Sequence, residues 1–530
     1  MSELKELESL LAQGKITRRD FLARLSAIGI AAALSPTLLT ATARATKPLK
    51  GGRLRIGMAG GSTTDSLDPA TITDAMAYNI NWQIRNCLVE VDYESNPVPE
   101  LAENWEASPD AVTWRFKLRK GVEFHNQKTL EAEDVVFSIN HHRGKDSKSA
   151  AKGIVDPIQD IETDGKYTVI FTLKEGNADF PFIMSDPHLP IVPAGTQGNE
   201  WEKGIGTGGF MLESHEPGYR ALTKRNPNYW KKGRAHFDEV ETIGISDVTA
   251  RVTALNTGQI DAMNRFELKI IHLLKRVSGI QILNITGTKH YSIPMLTDRA
   301  PYDNNDVRLG LKYAIDREHM LKTILQGFGS LGNDHPIAPA QKYFASELPQ
   351  RKYDPDRARF HLKKAGMLDR TFKIHAADAA FVGAVDAALL FKEHAAKAGI
   401  KIEVQREPND GYWSNVWMKK PWVMCYWSGR ATVDWMLSTT YAHDANWNDT
   451  FWKHDRFNRL LKAARAELDE AKRREMYVEC QKIIRDEGGV VIPLFANNIE
   501  GATKKVRFEN PAGNWEMDGH RAAERWWFES

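Results

Sequence analysis

The chain has 530 residues, 42% hydrophobic and 26% charged, with 71 Lys/Arg against 69 Asp/Glu. Beyond the first 45 residues the two signs balance at 65 each. Such a body has a large core, room for two or three domains, and no long-range field to collect nucleic acid or acidic lipid, so any charge selectivity has to be local.

The first segment reads as an address. Arg18-Arg19 precedes Phe21-Leu22, a mildly apolar run follows to about Leu39, and Ala43-Arg44-Ala45 closes it. That is the order of a secretory signal, and the paired arginines resemble a twin-arginine signal with cleavage after Ala45. The run is too short to span a bilayer, and Pro36 interrupts it. No cysteine stands near the cleavage point, so no lipid anchor is expected and the mature chain should not insert in the membrane. Cys87, Cys425 and Cys480 are widely spaced without a C-x-x-C. They read as small buried hydrophobes, with one bridge possible and at least one thiol free.

"GRLRIGMAGG" predicts a short strand entering a glycine loop. "TWRFKLRKGVEF" alternates, with Trp114, Phe116 and Leu118 on one face, and Lys120-Gly121 turns the chain, which reads as a half-buried hairpin. "KYTVIFTLKE" predicts another strand. "NNDVRLGLKYAIDREHMLKTIL" puts Val307, Leu311, Ala314 and Ile315 at helical spacing. In "YDPDRARFHLKKAGM" Asp354 can cap a helix that Pro355 begins and Gly366 ends, with Ala358, Leu362 and Ala365 inward. Trp413 and Trp417, four apart, predict a buried stripe. Phe457, Leu460, Leu461, Ala464 and Leu468 form a further stripe, and the pattern continues through Cys480, Ile483 and Ile484 into the strand "VVIPLF". Interleaved helices and strands argue α/β layers.

Catalytic signatures are missing: there is no G-x-S-x-G, H-E-x-x-H, P-loop or dinucleotide fingerprint, and no dense His/Cys/carboxylate cluster for a bare ion. Nothing asks for an enzyme or for a cofactor.

Several segments, in order, resemble the extracytoplasmic solute-binding proteins of ABC importers, in the family that includes dipeptide, oligopeptide and nickel binders. They are "GGRLRIGMAGGSTTDSLDPAT", "PVPELAENWEASPDAVTWRFKLRKGVEFHNQKTLEAEDVVFSI", "GTGGF", "NPNYW", "ALNTGQIDAM", "PYDNNDVRLGLKYAIDREHML" and "YDPDRARFHLKKAGM". The resemblance implies a two-lobed α/β periplasmic-binding-protein fold, type II-like and of cluster C, with an extra α/β domain inserted in the first lobe. Residues 1–45 would be the signal. Residues 46–85, 204–286 and 497–530 would form lobe I, 86–203 the inserted domain and 287–496 lobe II. It implies a binding protein, not an enzyme: a periplasmic monomer that closes on a small solute between its lobes and hands it to a membrane permease.

In peptide-binding relatives, the segment matching "CYWSGRATVDW" has an aspartate directly after the Trp-x-Gly turn, where it takes the ligand's amino terminus. Here that slot, after Trp427-Ser428-Gly429, is Arg430. The arginine that dipeptide binders use in the segment matching "AADAAFVGAVDAA" is also missing. A guanidinium pairs two-to-two with a carboxylate or phosphate, so Arg430 is expected to receive an anionic group. Asp434 would orient that guanidinium or take a cationic part of the ligand, unless the two residues form a purely structural pair. Trp427, Trp435 and Trp447 are candidate walls, Asn446 a polar contact, and Ser62 and Thr63 of "AGGSTTDS" a cap on the far side. The alternatives are a metal-chelate receptor of the same family, a secreted hydrolase, and a chaperone of exposed peptide segments.

Overall fold

The computed structural model describes residues 48–72, 74–266, 268–271, 277–409 and 412–529. Arg18, Arg19 and Ala45 lie outside the described residues. Lys50–Phe528 make one folded unit.

Its spine is a nine-stranded sheet. Arg53–Met58 buries Leu54, Ile56 and Met58 and lies parallel to Glu239–Gly244 on one side and Ala262–Met263 on the other. Arg220–Arg225 and Phe210–Glu216 extend one edge. On the other side run two long antiparallel strands, Ile280–Pro294 and Val490–Thr503, with Cys425–Trp427 at the far edge. Each long strand serves two cores. Leu283, Ile285 and Ala502 pack with Leu54 and Ile56, whereas Ile293, Val491 and Leu494 pack with Leu311, Phe372 and Phe391. The register of the pair slips between Ile285 and Lys289, where the strands pass from one core to the other.

A third core sits under a separate four-stranded antiparallel sheet made by Ala102–Ala107, Thr113–Leu118, Thr168–Leu173 and Ile158–Thr163. Trp114, Phe116 and Leu118 are buried as the alternation requires, and Phe116 meets Phe171 and Phe180 edge-on. The hairpin, however, is made with the strand before it. Thr113–Leu118 pairs with Ala102–Ala107, while the segment past Gly121 makes a single bridge, Glu123 to Thr129. Ser108 and Asp110 close the tight upstream connection with hydrogen bonds to Thr113 and Val112, which fixes that choice of partner.

Capping chemistry sets the helix bounds. Asp354 accepts from Arg357 N at 2.9 Å to start Pro355–Lys364, Ala358 and Leu362 are fully buried, and Gly366 leaves the helix at φ 69°. The long apolar pattern around Val307 is two helices, Asn305–Tyr313 and Arg317–Ile324, because Asp316 caps the second by accepting from His319 N. Leu468 falls past the end of Asp455–Ala466 and is exposed. The helix at Trp413 is only Tyr412–Asn415, so no buried stripe forms: Trp413 is exposed and Trp417 half-buried. All three cysteines are buried and free. Among the described residues no helix is long and apolar enough to cross a membrane.

Candidate functional site

Strand Cys425–Trp427 pairs with His290–Ser292 at the edge of the second core, and the chain then leaves through Ser428, Gly429, Arg430 and Ala431. Thr432 turns it into helix Val433–Thr440 by accepting from Trp435 N at 3.1 Å. Gly429 lies against the long strand at its register slip. A Cβ there would stand 1.7 Å from Thr288 Oγ1 and 2.1 Å from its Cβ, so any other residue would push the loop away.

That constraint fixes Arg430. Its guanidinium sits between two indoles, 5.8 Å from the Trp427 ring and 6.0 Å from Trp435. Nη1 donates to the carbonyls of Ser428 (3.0 Å) and Gly429 (3.4 Å), and Gln341 Nε2 holds the Arg430 carbonyl at 3.0 Å. Among the described residues Nε and Nη2 have no acceptor, and no carboxylate forms an ion pair with Arg430. Burial lowers the guanidinium's pKa, and the charge of Asp186 opposes that. Trp427 is buried and anchored from behind, where its Nε1 and that of Trp417 both donate to Asp449 Oδ2, at 3.1 and 3.2 Å. Burial pushes the Asp449 carboxyl up to about 6, with the two indole N–H groups acting against it.

Asp434 is placed differently from either role expected of it. Both its oxygens accept from Arg465 Nε, at 3.2 and 3.1 Å, and Arg465 Nη2 donates to Ser438 Oγ at 2.7 Å. The first turn of the helix delivers Asp434 to Arg465 of Asp455–Ala466, and no ion pair joins it to Arg430 among the described residues. Burial lifts its carboxyl to about 6, and the charge and hydrogen bond of Arg465 counteract this.

Trp435 lines a cavity of about 30 Å³, together with Trp82, Phe182, Asp186, Trp515 and Arg521. Apart from Trp435, these come from helix Ala75–Ile84, helix Phe180–Ile183 with the segment after it, and the C-terminal turn around Glu516–Gly519, while Ala431 of the Arg430 loop lines the cavity as well. Its size takes about one or two waters, so a solute must enter with the walls apart. Two cations on the wall are already neutralised. Arg521 contacts Glu100 at 2.8 and 3.0 Å and Glu524 at 3.1 Å over the Trp82 ring (4.0 Å), and Arg525 contacts Asp518 at 2.8 Å and Glu90 at 2.6 Å. Arg430 is therefore the cation beside this cavity that has no carboxylate partner among the described residues.

Of the expected site residues, Trp427, Ser428, Gly429, Arg430 and Trp435 come together. Trp447 is half-exposed 6.0 Å from the Trp427 ring, and Asn446 is exposed beside it. Ser62 and Thr63 stay out of the group. They are exposed, Ser62 bonds within its own turn to Asp65 and Thr64, and the loop packs on Gly218. Trp82, Asp186, Trp515 and Arg521 were missed because they stand in four unrelated stretches whose local patterns carry no sign of a shared cavity. Asp316, His319 and His394 cluster closely enough to suggest a metal. Yet His394 Nδ1 accepts from Asp316 N (3.2 Å), and a neutral imidazole binding a metal through Nε2 needs its proton on Nδ1. The group is a helix cap.

The family model for bacterial extracellular solute-binding proteins, family 5, matches residues 96–449. The chain belongs to that family. Heme-binding protein A of Haemophilus influenzae is 29% identical over 326 residues, 56% of this chain and 59% of that protein, so the match spans less than two thirds of its length. Di/tripeptide-binding protein 1 of Pseudomonas aeruginosa is 26% identical over 494 residues, 86% of this chain and 92% of that one. Among solved structures, HbpA2 of Haemophilus parasuis superposes with a TM-score of 0.78 at 22% identity, covering 88% of this chain and 99% of that one. The fold is the two-lobed α/β fold of periplasmic binding proteins.

Proposed function

We propose that this chain is the solute receptor of an ABC importer. It is exported by the Arg18-Arg19 signal, cleaved after Ala45, and works in the periplasm as a monomer that delivers its solute to a membrane permease. The boundaries at 86, 204, 287 and 497 suit this reading. The inserted domain would carry the four-stranded sheet, and the long strands Ile280–Pro294 and Val490–Thr503 would be the hinge on which the lobes close around a solute. The chain makes and breaks no bonds; it needs only a higher solute affinity when closed.

The solute is a peptide-like or other small organic molecule with an anionic group. The observation that carries this is Arg430, framed by two indoles and lacking a carboxylate, beside a cavity whose lining cations, Arg521 and Arg525, are paired with carboxylates. A charge-assisted, two-pronged contact is worth about 1.5–3 kcal/mol, or roughly ten- to a hundredfold in affinity.

The test is a thermal-shift and calorimetric screen of the exported protein and its Arg430→Gln variant against acidic peptides, opine-like conjugates and polycarboxylate chelates. Stabilisation by acidic members that the variant loses supports the reading; stabilisation only by neutral dipeptides, or an unaffected variant, defeats it. A nickel chelate that binds where nickel alone and the free chelator do not would favour the metal-chelate reading. Recovery of bound solute unchanged disposes of a hydrolase.

A further inference from the structure

Asp186 lines the cavity that Ala431 and Trp435 also border, and its side chain is 5% exposed. Only half of its carboxylate is used. Oδ1 accepts from His188 N at 2.9 Å and lies 2.7 Å from His188 Nδ1. Oδ2 accepts nothing among the described residues. The His188 ring is itself fixed, with Nε2 2.9 Å from the carbonyl of Ile72 and 3.1 Å from the Tyr78 hydroxyl. His188 is thus a positioning residue that presents Asp186 in one orientation.

A buried carboxylate normally has its oxygens satisfied. The neighbouring acids obey this: Glu90, Glu100 and Glu524 converge on Lys231, Arg521 and Arg525, and Asp434 takes Arg465. Asp186 has His188 as a partner, 2.7 Å from Oδ1 and an ion pair when that ring is protonated, but its Oδ2 is unused and it opens on the cavity. Trp82, Trp435 and Trp515 border the same space, and indole faces favour a cation over an anion. Arg430 feels the charge of Asp186, but no ion pair joins the two. The cavity therefore has an anion with a spare acceptor on its wall, and Arg430, next to the lining residue Ala431, holds spare donors beside it.

We infer that Asp186 is a cation subsite: the solute is amphoteric, its anionic group on Arg430 and a protonated amine on Asp186 Oδ2. The inference rests on the anionic reading of Arg430 and narrows it, from any small acid to one carrying an ammonium group, such as an acidic peptide with a free amino terminus or an amino-acid conjugate.

The probes are di- and tripeptides with Asp or Glu side chains, each in free, N-acetylated and carboxyl-methylated form, titrated calorimetrically into the unmutated protein, Asp186→Asn and Arg430→Gln. Free forms should bind about ten- to a hundredfold more tightly than acetylated ones. Asp186→Asn should erase that preference while the requirement for a carboxylate survives, and Arg430→Gln should remove the carboxylate requirement. Acetylated peptides that bind the unmutated protein as well as free ones overturn the cation subsite and leave Arg430 standing; that comparison needs no variant to fold. Esters that bind as well as acids overturn the Arg430 reading. A panel in which no acidic member binds overturns both.

Discussion

Gly429 ties the Arg430 loop to the strand that passes between the two cores, and replacing it tests that tie. In Gly429→Ala the new methyl would lie 1.7 Å from Thr288 Oγ1, 2.1 Å from Thr288 Cβ and 3.0 Å from the Thr288 carbonyl carbon. Contacts this short cannot stand, and overpacking of this kind costs about 1–3 kcal/mol. Thr288 is nearly buried in a continuous strand, so the upper half of that range is expected. The same displacement carries Arg430 off Trp427 and Trp435, so solute affinity should fall as well. The partner substitutions give the sharper test. Thr288→Ala removes Oγ1 but leaves Cβ, so Gly429→Ala/Thr288→Ala should be no more stable than the two losses added. Thr288→Gly removes Cβ and should couple favourably with Gly429→Ala by about 1–2 kcal/mol, against roughly 0.5–1 kcal/mol for glycine in a strand. Urea denaturation followed by tryptophan fluorescence measures the stabilities of the parent and all five variants. A Gly429→Ala protein as stable as the parent, or equal rescue by Thr288→Ala and Thr288→Gly, would refute the close approach.

Asp179 and Arg473 form a buried ion pair between the segment before Phe180–Ile183 and helix Glu470–Glu487. Arg473→Ala should cost about 3–5 kcal/mol by stranding Asp179, and Asp179→Leu/Arg473→Met should recover most of it; chemical denaturation of both proteins decides. Burial pushes the Glu500 carboxyl up to about 8, against 4.5 for an ordinary one. The native state then holds a proton that the unfolded chain has lost, so stability falls as pH rises from about 4.5 to 8. Glu500→Gln should flatten that slope in urea midpoints read at pH 5 and pH 8.5; an unchanged slope shows Glu500 is not its source. Burial also raises the thiols of Cys87, Cys425 and Cys480. A thiol reagent should therefore find none of them quickly in the native protein and all three after denaturation.

Local order was legible in the sequence because it depends on residues close along the chain. The alternation of Trp114, Phe116 and Leu118, the cap at Asp354 and the stop at Gly366 each concern one strand face or one helix end, and all three stand. The cluster around Arg430 was legible for the same reason, since Trp427, Gly429, Arg430 and Trp435 fall within one short segment. Partner choice was not. The composition of Thr113–Leu118 is compatible with a strand on either side, and Asp434 is nearer in sequence to Arg430 than to any other arginine, yet the turn of its helix delivers it to Arg465. Trp82, Asp186, Trp515 and Arg521 acquire a common meaning only when long-range packing of three cores brings their backbones to one cavity. Which oxygen of Asp186 is left unused depends on where His188 is pinned by Ile72 and Tyr78, residues more than a hundred positions away. Periodicity and capping act over a few residues, whereas the pairing of buried charges is settled by the whole fold.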